Sequence, residues 1–203
     1  MSAEILPLLT KALGETIYMV AVSMAIASII GVPLGVLLHT TDKGQILESP
    51  VLNKIVGSIV NAIRSIPFII LMVAIIPFTR FLVGSAIGTT AAIVPLVVAS
   101  IPFIGRQVET SMGATPAQII TKVLLPEAMP SIVAQLTTVI IALVGESAMA
   151  GAIGGGGLGD LAIRYGYQRF RPEVMLATVV VLIILVQAVQ FLGNALSRRL
   201  NKR

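Results

Sequence analysis

The feature that most restricts the fold of this chain is a series of long apolar stretches with little room for charge. Charged residues make up only 11% of the 203 residues, whereas a soluble domain carries about a quarter. Most stretches have roughly the length that an α-helix needs to cross a bilayer. Since backbone groups in lipid must be satisfied internally, we predict an all-α polytopic membrane protein with five transmembrane helices. The predicted spans are about 16–38, 55–78, 91–104, 130–150 and 173–196 of one transmembrane domain, 1–203.

The composition excludes several kinds of site. The chain has no cysteine, so it carries neither a disulfide nor a cysteine metal site. Its single histidine, His39, cannot form a histidine cluster within one chain, and we expect it in a solvated loop. The net charge of +5 fits loop lysines and arginines that set topology, and aromatics are too few for base-stacking platforms. We therefore expect no catalytic residue, no metal and no nucleic-acid partner.

Polar segments and glycines divide the apolar stretches. Gly31 and Gly35 in the first span permit close contact between helices. The second stretch is interrupted by Arg64-Ser-Ile-Pro-Phe, and segments 79–90 and 160–172 are predicted to be loops. Five spans put the termini on opposite sides. Because lysines and arginines are more numerous on the side of the C-terminal tail, we expect the C-terminus in the cytoplasm and the N-terminus outside.

A short amphipathic helix is predicted between the third and fourth spans. Gly113 can end the incoming helix, Thr115 is a good N-cap, and Pro116 suits the first helical position. Apolar residues then recur at helical spacing until Pro126 and Pro130, which are expected to end the helix. The apolar face of such a helix needs a partner surface, which is lipid, the rest of this chain or another protein.

The fourth span ends in a glycine-dense segment, residues 151–159. Dense glycine lets the backbone turn sharply and approach other backbone closely. The segment lacks the Gly-Lys-Ser/Thr ending of a phosphate-binding loop. In a membrane protein it favours a re-entrant or gating segment that lines a cavity. Glu146, just before it, either faces a water-filled path or a subunit contact, or hydrogen-bonds to a neighbouring helix.

Several motifs together resemble the membrane permease subunits of methionine ABC importers. They are the Ser-Ile-Pro-Phe run at 65–68, the segments 112–115 and 122–127, and the run from Ser147 to Gly159 followed by Arg-Tyr-Gly-Tyr at 164–167. The resemblance implies a type I ABC importer core in the bacterial inner membrane that imports L-methionine, with D-methionine as a second substrate. Its implied partners are a second copy, membrane lipid, two cytoplasmic ATPase subunits and a periplasmic or lipid-anchored methionine-binding protein. ATP and Mg would be bound by the ATPase subunits, so the chain itself would be no enzyme and hold no cofactor.

The resemblance also implies roles for individual residues. Those implied in coupling to the ATPase, within a cytoplasmic segment of about 105–128, are Glu109, Gly113, Ala114, Thr115, Pro116, Leu125 and Pro126. Those implied in the gate or pathway are Glu146, Ser147, Met149 and Gly151. A flexible thioether suits an adaptable plug at Met149, with ordinary packing as the alternative. One departure is that about a helix and a turn of the family's sequence is missing between Arg106 and Met112, either because the coupling loop is shorter here or because a piece of the sequence is absent.

Three alternatives remain at this point. A secondary transporter driven by an ion gradient predicts internal repeats and ionisable residues at mid-membrane. Five spans divide poorly into repeats, and Glu146 is the only acid well inside one. A membrane scaffold that transports nothing would leave the capped helix and the glycine-dense segment without a role. The third alternative is an ABC permease for another small amino acid or a related solute.

Overall fold

The computed structural model describes residues 5–111 and 125–200, with only the backbone of 125–128. Every regular element in these ranges is helical. Two π-helical turns, Gly151–Gly155 and Ala162–Tyr167, lie on either side of α7. The helices are α1 (Ile5–Thr41), α2 (Pro50–Arg64), α3 (Phe68–Ala74), α4 (Ile76–Val83), α5 (Thr89–Ser111), α6 (Leu125–Ala150), α7 (Gly157–Leu161) and α8 (Pro172–Leu200).

Four segments of the described chain are long and apolar enough to cross a membrane. They are α1, α5, α8 and Met129–Gly155, which contains most of α6. The predicted second span is broken, because α2 and α3 meet at 100°. The break lies at residues 65–67, where Pro67 disfavours helical conformation in the residue before it. Counted as one span, this bent pair brings the total to five, the number that the sequence predicts.

Both ends of α1 differ from the sequence prediction. The first span was expected to begin near residue 16, but α1 already begins at Ile5. The early turns are helical because Ile5 and Leu9 are buried in a small core with Leu158 of α7 and Val174 of α8. The other end of α1 extends through Thr41, so His39 is buried in a helix and the prediction of a solvated loop was wrong.

Two predicted loops are largely helical. In segment 79–90, α4 continues to Val83 and ends at Gly84, which has a left-handed φ of 78°. In segment 160–172, α7 and the following π-helical turn carry the helix to Tyr167. In the second segment the helix buries Leu161, whereas Phe81 and Leu82 of the first are exposed, and the loop prediction weighed only the polar residues of both.

The expectation that Pro130 ends a helix was wrong, whereas the end of the predicted short helix before Pro126 lies outside the described residues. Both prolines lie inside α6, which begins at Leu125, so the fourth helix starts before its predicted boundary. Pro126 is in the first turn, where a missing N–H breaks no intrahelical hydrogen bond. Further along, the hydroxyl of Ser197 donates to the carbonyl of Pro130 (2.8 Å), which joins α8 to the start of α6.

α1 and α5 pack against each other through glycines. A β-carbon on Gly35 would lie 2.5 Å from the carbonyl oxygen of Gly105 and 2.6 Å from Cβ of Val108. One on Gly31 would lie 2.8 Å from Cβ of Ile104. The prediction that glycines of the first span permit close helix contact is therefore confirmed, and α1 and α5 form a closely joined pair.

Candidate functional site

The glycine-dense segment forms a turn whose backbone only glycine adopts readily. Ile153 and Gly154 leave the helical conformation, and this ends the π-helical continuation of α6. Gly154, Gly156 and Gly157 have φ angles of 97°, 81° and 77°. These values lie in the left-handed region, where a side chain causes strain. The density of glycine, noted from the sequence, is thus required by the backbone itself.

This turn, residues 151–159, packs backbone against backbone. A β-carbon on Gly151 would lie 2.5 Å from the amide nitrogen of Asp160 and 2.7 Å from the carbonyl oxygen of Gly156. A β-carbon on Gly159 would overlap the backbone of Ala148. The turn therefore folds back onto the last turn of α6 with no space for side chains between them. We call this end of the bundle the glycine end.

Side chains and backbone from two other elements fasten the turn. The carboxylate of Glu15 in α1 accepts a hydrogen bond from the N–H of Gly157 (2.7 Å), and the hydroxyl of Thr16 accepts one from Leu158 (2.9 Å). Both acceptors cap the start of α7. The N–H of Gly88 donates to the carbonyl of Gly154 (3.0 Å) just before α5. Sequence analysis missed Glu15, whose only signal is an acid at the edge of an apolar stretch.

The four predicted gate residues do not lie on one surface. Met149 is 50% exposed and lies on the same face of α6 as Glu146, which is partly buried. Ser147 is buried, and its hydroxyl donates to the carbonyl of Val144 (2.7 Å). Gly151 is buried inside the turn. The geometry thus leaves Met149 and Glu146 as candidates for a pathway surface, whereas the surroundings of Ser147 and Gly151 fit packing.

The opposite end of α5 carries a network of polar side chains. As predicted, α5 continues past its apolar stretch, to Ser111. Arg106 forms an ion pair with Glu109 (2.7 Å) and donates to the side-chain oxygen of Asn61 in α2 (3.2 Å). The predicted coupling residue Glu109 therefore lies in a network that joins α5 to α2.

The other predicted coupling residues can be placed only in part. Leu125 and Pro126 lie in the first turn of α6, where the structure describes the backbone alone. Four lie outside the described residues: Gly113, Ala114, Thr115 and Pro116. The short helix predicted to begin at Pro116 lies almost wholly outside them too.

Two further contacts hold α2 in place. The side-chain amide of Asn53 donates to the carbonyl of Leu38 (2.7 Å) and to the hydroxyl of Thr41 (3.1 Å) at the end of α1. The guanidinium of Arg64 lies 5.7 Å from the ring centre of Phe103 in α5, within cation–π distance. The first half of the bent pair is thus attached to both α1 and α5.

Two cavities lie beside the turn at the glycine end. The larger, about 450 Å³, lies between α1 and α7 and is lined by Lys11, Glu15, Asp160 and Arg164 among others. The smaller, about 330 Å³, lies between α3, α4, the start of α5 and the turn. Ile87 and Gly88 line both, so the short segment before α5 separates them.

Residues 31–203 match the family described as the binding-protein-dependent transport system inner membrane component. The chain belongs to this family. Membership argues against the scaffold and the ion-gradient transporter, because members are components of binding-protein-dependent systems. It also agrees with the all-α fold and with several apolar helices in an inner membrane.

Individual relatives cover nearly the whole chain. The probable D-methionine transport system permease protein MetI of Vibrio cholerae is 52% identical over 97% of this chain and 93% of its own length. The methionine import system permease protein MetP of Bacillus subtilis is 41% identical over 82% of each chain. The solved structure of inward-facing conformations of the MetNI methionine ABC transporter contains a chain that is 47% identical, with a TM-score of 0.94 and complete coverage of both chains. An amino acid ABC transporter with histidines, 18% identical with a TM-score of 0.76, shares the fold.

The alignment with the Vibrio cholerae relative extends over 210 positions, more than the 203 residues of this chain. That relative therefore contains residues without a counterpart here. Their location between Arg106 and Met112 stays a prediction from the sequence.

Proposed function

We propose that this chain is the membrane permease of an ATP-driven importer for methionine, with both L- and D-methionine as substrates. The observation that carries the proposal is the similarity to methionine permeases over nearly the whole chain, 52% identity in one relative and a TM-score of 0.94 in a solved structure. In this proposal two copies form the pathway, and two cytoplasmic ATPase subunits bind ATP and Mg. A periplasmic or lipid-anchored binding protein delivers methionine.

The proposed orientation places the glycine end outside and the α5 network, Arg106 with Glu109 and Asn61, at the cytoplasmic end. Movement of the ATPase would then reach the chain through residues 105–128, and so through the end of α5. From the end of α5 the movement would pass on in two ways. The hydrogen bond between Arg106 and Asn61 would move α2, and the close contacts of the α1 glycines with α5 would move α1. Since close-packed elements move as rigid bodies, displacement of α1 would reach the turn through Glu15 and Thr16.

The proposed gate is the exposed face of α6 that carries Met149. In this proposal Met149, which is half exposed at the end of a span beside a sharp backbone turn, meets the same residue of a second copy. Its unbranched thioether can fill irregular space, which suits a plug that opens and closes. Glu146 lies one turn away on this face, where a carboxylate requires water or a polar partner.

Co-purification followed by transport tests the proposal. A tagged chain is produced with its candidate ATPase subunit, extracted in mild detergent, and analysed for stoichiometry and mass. The complex is then placed in liposomes with ATP at the ATPase side and the binding protein at the other. We expect equal copies of permease and ATPase and methionine uptake that requires ATP.

The control is an ATPase variant that cannot hydrolyse ATP, which should assemble but not transport. A permease that purifies alone would contradict the coupling proposal. A complex that imports another amino acid but neither isomer of methionine would contradict the substrate.

The coupling assignment has a separate test in Gly113→Pro. Proline at this position removes the residue best suited to end one helix before the next begins, so we expect ATP hydrolysis to continue while uptake falls. Gly14→Ala, in α1 with free space around it, is the matched control and should change neither rate. Unchanged uptake in Gly113→Pro would remove the coupling role of this segment.

A further inference from the structure

The smaller cavity at the glycine end combines one cation with apolar walls. Side chains of α3 and α4 form one wall, notably Met72 and Ile76, and Pro95 of α5 and Ile153 of the turn form others. The polar side chains that line it are Thr79, which is 4% exposed, and Arg80. Within the part of the chain that the structure describes, no acidic side chain lines it.

Arg80 differs from the three arginines that pair with acids and, like Arg64, Arg169, Arg198 and Arg199, has no such partner among the described residues. Arg106, Arg164 and Arg171 each pair with a carboxylate of Glu or Asp within hydrogen-bond distance. Within the ranges 5–111 and 125–200, the structure shows neither an ion pair nor a hydrogen bond for the Arg80 side chain. A guanidinium at the rim of an apolar cavity is therefore available to an external anion, and a planar carboxylate matches its two parallel donors.

In the larger neighbouring cavity, most charged side chains already have partners within the protein. Its two acids are already engaged, since Glu15 accepts from Gly157 and Asp160 pairs with Arg164. Its charges of both signs are thus satisfied mostly within the protein. The smaller cavity is also the right size for a small solute, because ligand pockets begin at about 300 Å³.

We propose that the cavity around Arg80 is a substrate site on the permease itself, which binds the carboxylate and the apolar side chain of a small amino acid. This inference rests on the proposed function for its choice of methionine. Arg80 pairs with the carboxylate, and the wall of Met72, Ile76 and Pro95 contacts the thioether chain. Without a lining acid, the site makes no ion pair with the α-ammonium group.

This arrangement predicts an unusual specificity. A site that recognises only the carboxylate and the chain distinguishes poorly between L- and D-methionine. It should accept 4-(methylthio)butanoate, which lacks the ammonium group. It should reject methioninamide, which lacks the carboxylate, because the guanidinium would then be left without its anion.

Thiol protection measures this specificity even for weak binding. The chain has no natural cysteine, so Ala86→Cys places a single thiol in the cavity lining. The complex with the ATPase, in lipid nanodiscs, is treated with a neutral maleimide and each probe at about 10 mM, a concentration that occupies even millimolar sites. We expect L-methionine, D-methionine and 4-(methylthio)butanoate to slow labelling at least about threefold. Methioninamide should not slow it.

Two controls define the result. Ala162→Cys, in the second π-helical turn and outside both cavities, should be labelled at the same rate with and without probes. Adding Arg80→Gln to Ala86→Cys should abolish protection, whereas Arg169→Gln, at an exposed arginine that lines neither cavity, should leave it intact.

Uptake kinetics give a second measurement that does not depend on the thiol. Arg80→Gln should raise the KM for methionine about tenfold, and Arg80→Lys should restore part of the loss. Protection by methioninamide, protection that persists in Arg80→Gln, or an unchanged KM would each overturn the site. If methionine is transported normally while the cavity is never protected, this site is wrong and the proposed function stands. If methionine is not transported at all, the proposed function fails first.

Discussion

The two ends of the α1–α5 pair are held together by different kinds of contact. At the glycine end, the turn meets α6 backbone to backbone, and the contacts of Gly151 and Gly159 leave no space for a methyl group. At the other end, the partly exposed side chains of Arg106, Glu109 and Asn61 join α5 to α2. The first set of contacts joins the turn to α6 at fixed distances, whereas the second joins α5 to α2 through side chains with rotatable bonds.

This difference suggests which end can adjust. Backbone packing is intolerant of added volume, since closely packed elements must move together or separate. Partly exposed ion pairs contribute little stability and can exchange partners with water. In an importer that receives motion at the α5 network and opens at the glycine end, the contacts that receive the motion would thus be adjustable. The contacts at the opening end would be rigid. The following predictions test this contrast.

Gly159→Ala should have the largest effect. Its β-carbon would overlap the backbone of Ala148, which cannot move aside as a flexible side chain can. We expect a loss of about 3 kcal/mol or more of stability, and little folded complex. The measurement is the yield and apparent Tm of the purified complex in detergent.

The matched control is Gly14→Ala, since a β-carbon at Gly14 meets nothing within 4 Å. It should be neutral or stabilise α1 by up to about 1 kcal/mol. Equal behaviour of the two variants would show that the glycine end is not rigidly packed.

Glu15→Gln should have an intermediate effect. The amide keeps an acceptor for the N–H of Gly157 but loses the charge that strengthens this cap of α7. We expect a loss of about 1 kcal/mol and slower uptake, because the turn is less firmly attached to α1. Apparent Tm and initial uptake rate are measured together. Lys11→Gln removes only the exposed ammonium group that lies 3.9 Å from the Glu15 carboxylate and should have a smaller effect, and an equal effect in that variant would assign the loss to this ion pair.

Arg106→Gln should affect coupling more than stability. It removes the pair with Glu109 and weakens the hydrogen bond to Asn61, contacts that are partly exposed and worth about 0.5–1 kcal/mol. We expect the amount of methionine imported per ATP hydrolysed to fall about two- to fivefold, with apparent Tm nearly unchanged.

A double-mutant cycle with Glu109→Gln tests whether the pair acts as a unit. If it does, the double variant should be no worse coupled than Arg106→Gln alone. Additive losses would mean that Glu109 contacts the ATPase or another group independently of Arg106.

The sequence was sufficient for the features that depend on composition and spacing. The number of spans, the contact glycines Gly31 and Gly35, the continuation of α5 and the sharp turn at residues 151–159 all follow from local chemistry. Helix boundaries were less predictable, because tertiary burial decided them. Ile5 and Leu9 are helical since α7 and α8 cover them, and these partners are some 150 residues away in the chain.

The candidate site shows the same limit. Met149 could be singled out from its motif, but the cap from Glu15 could not, since nothing local links an acid at the start of the first helix to a turn after the fourth. Pro67 could be recognised as an interruption, yet its 100° bend depends on where α3 packs. Arg80 was assigned to a loop, and only the fold of α4 places it beside an apolar cavity.

Met149→Ala should have the smallest effect on stability and a distinct effect on function. Its side chain is half exposed within the single chain, so truncation removes little packing and should cost less than about 0.5 kcal/mol in the isolated subunit. If the residue closes the path between two copies, the smaller side chain should leave a gap there. We expect leak of methionine without ATP and a raised basal ATPase rate, measured in liposomes with and without the binding protein. Met149→Leu, which conserves volume, should restore the seal. If the alanine variant leaks no more methionine than the unchanged protein, Met149 has only a packing role. The gate would then lie at Glu146 or in the turn at residues 151–159.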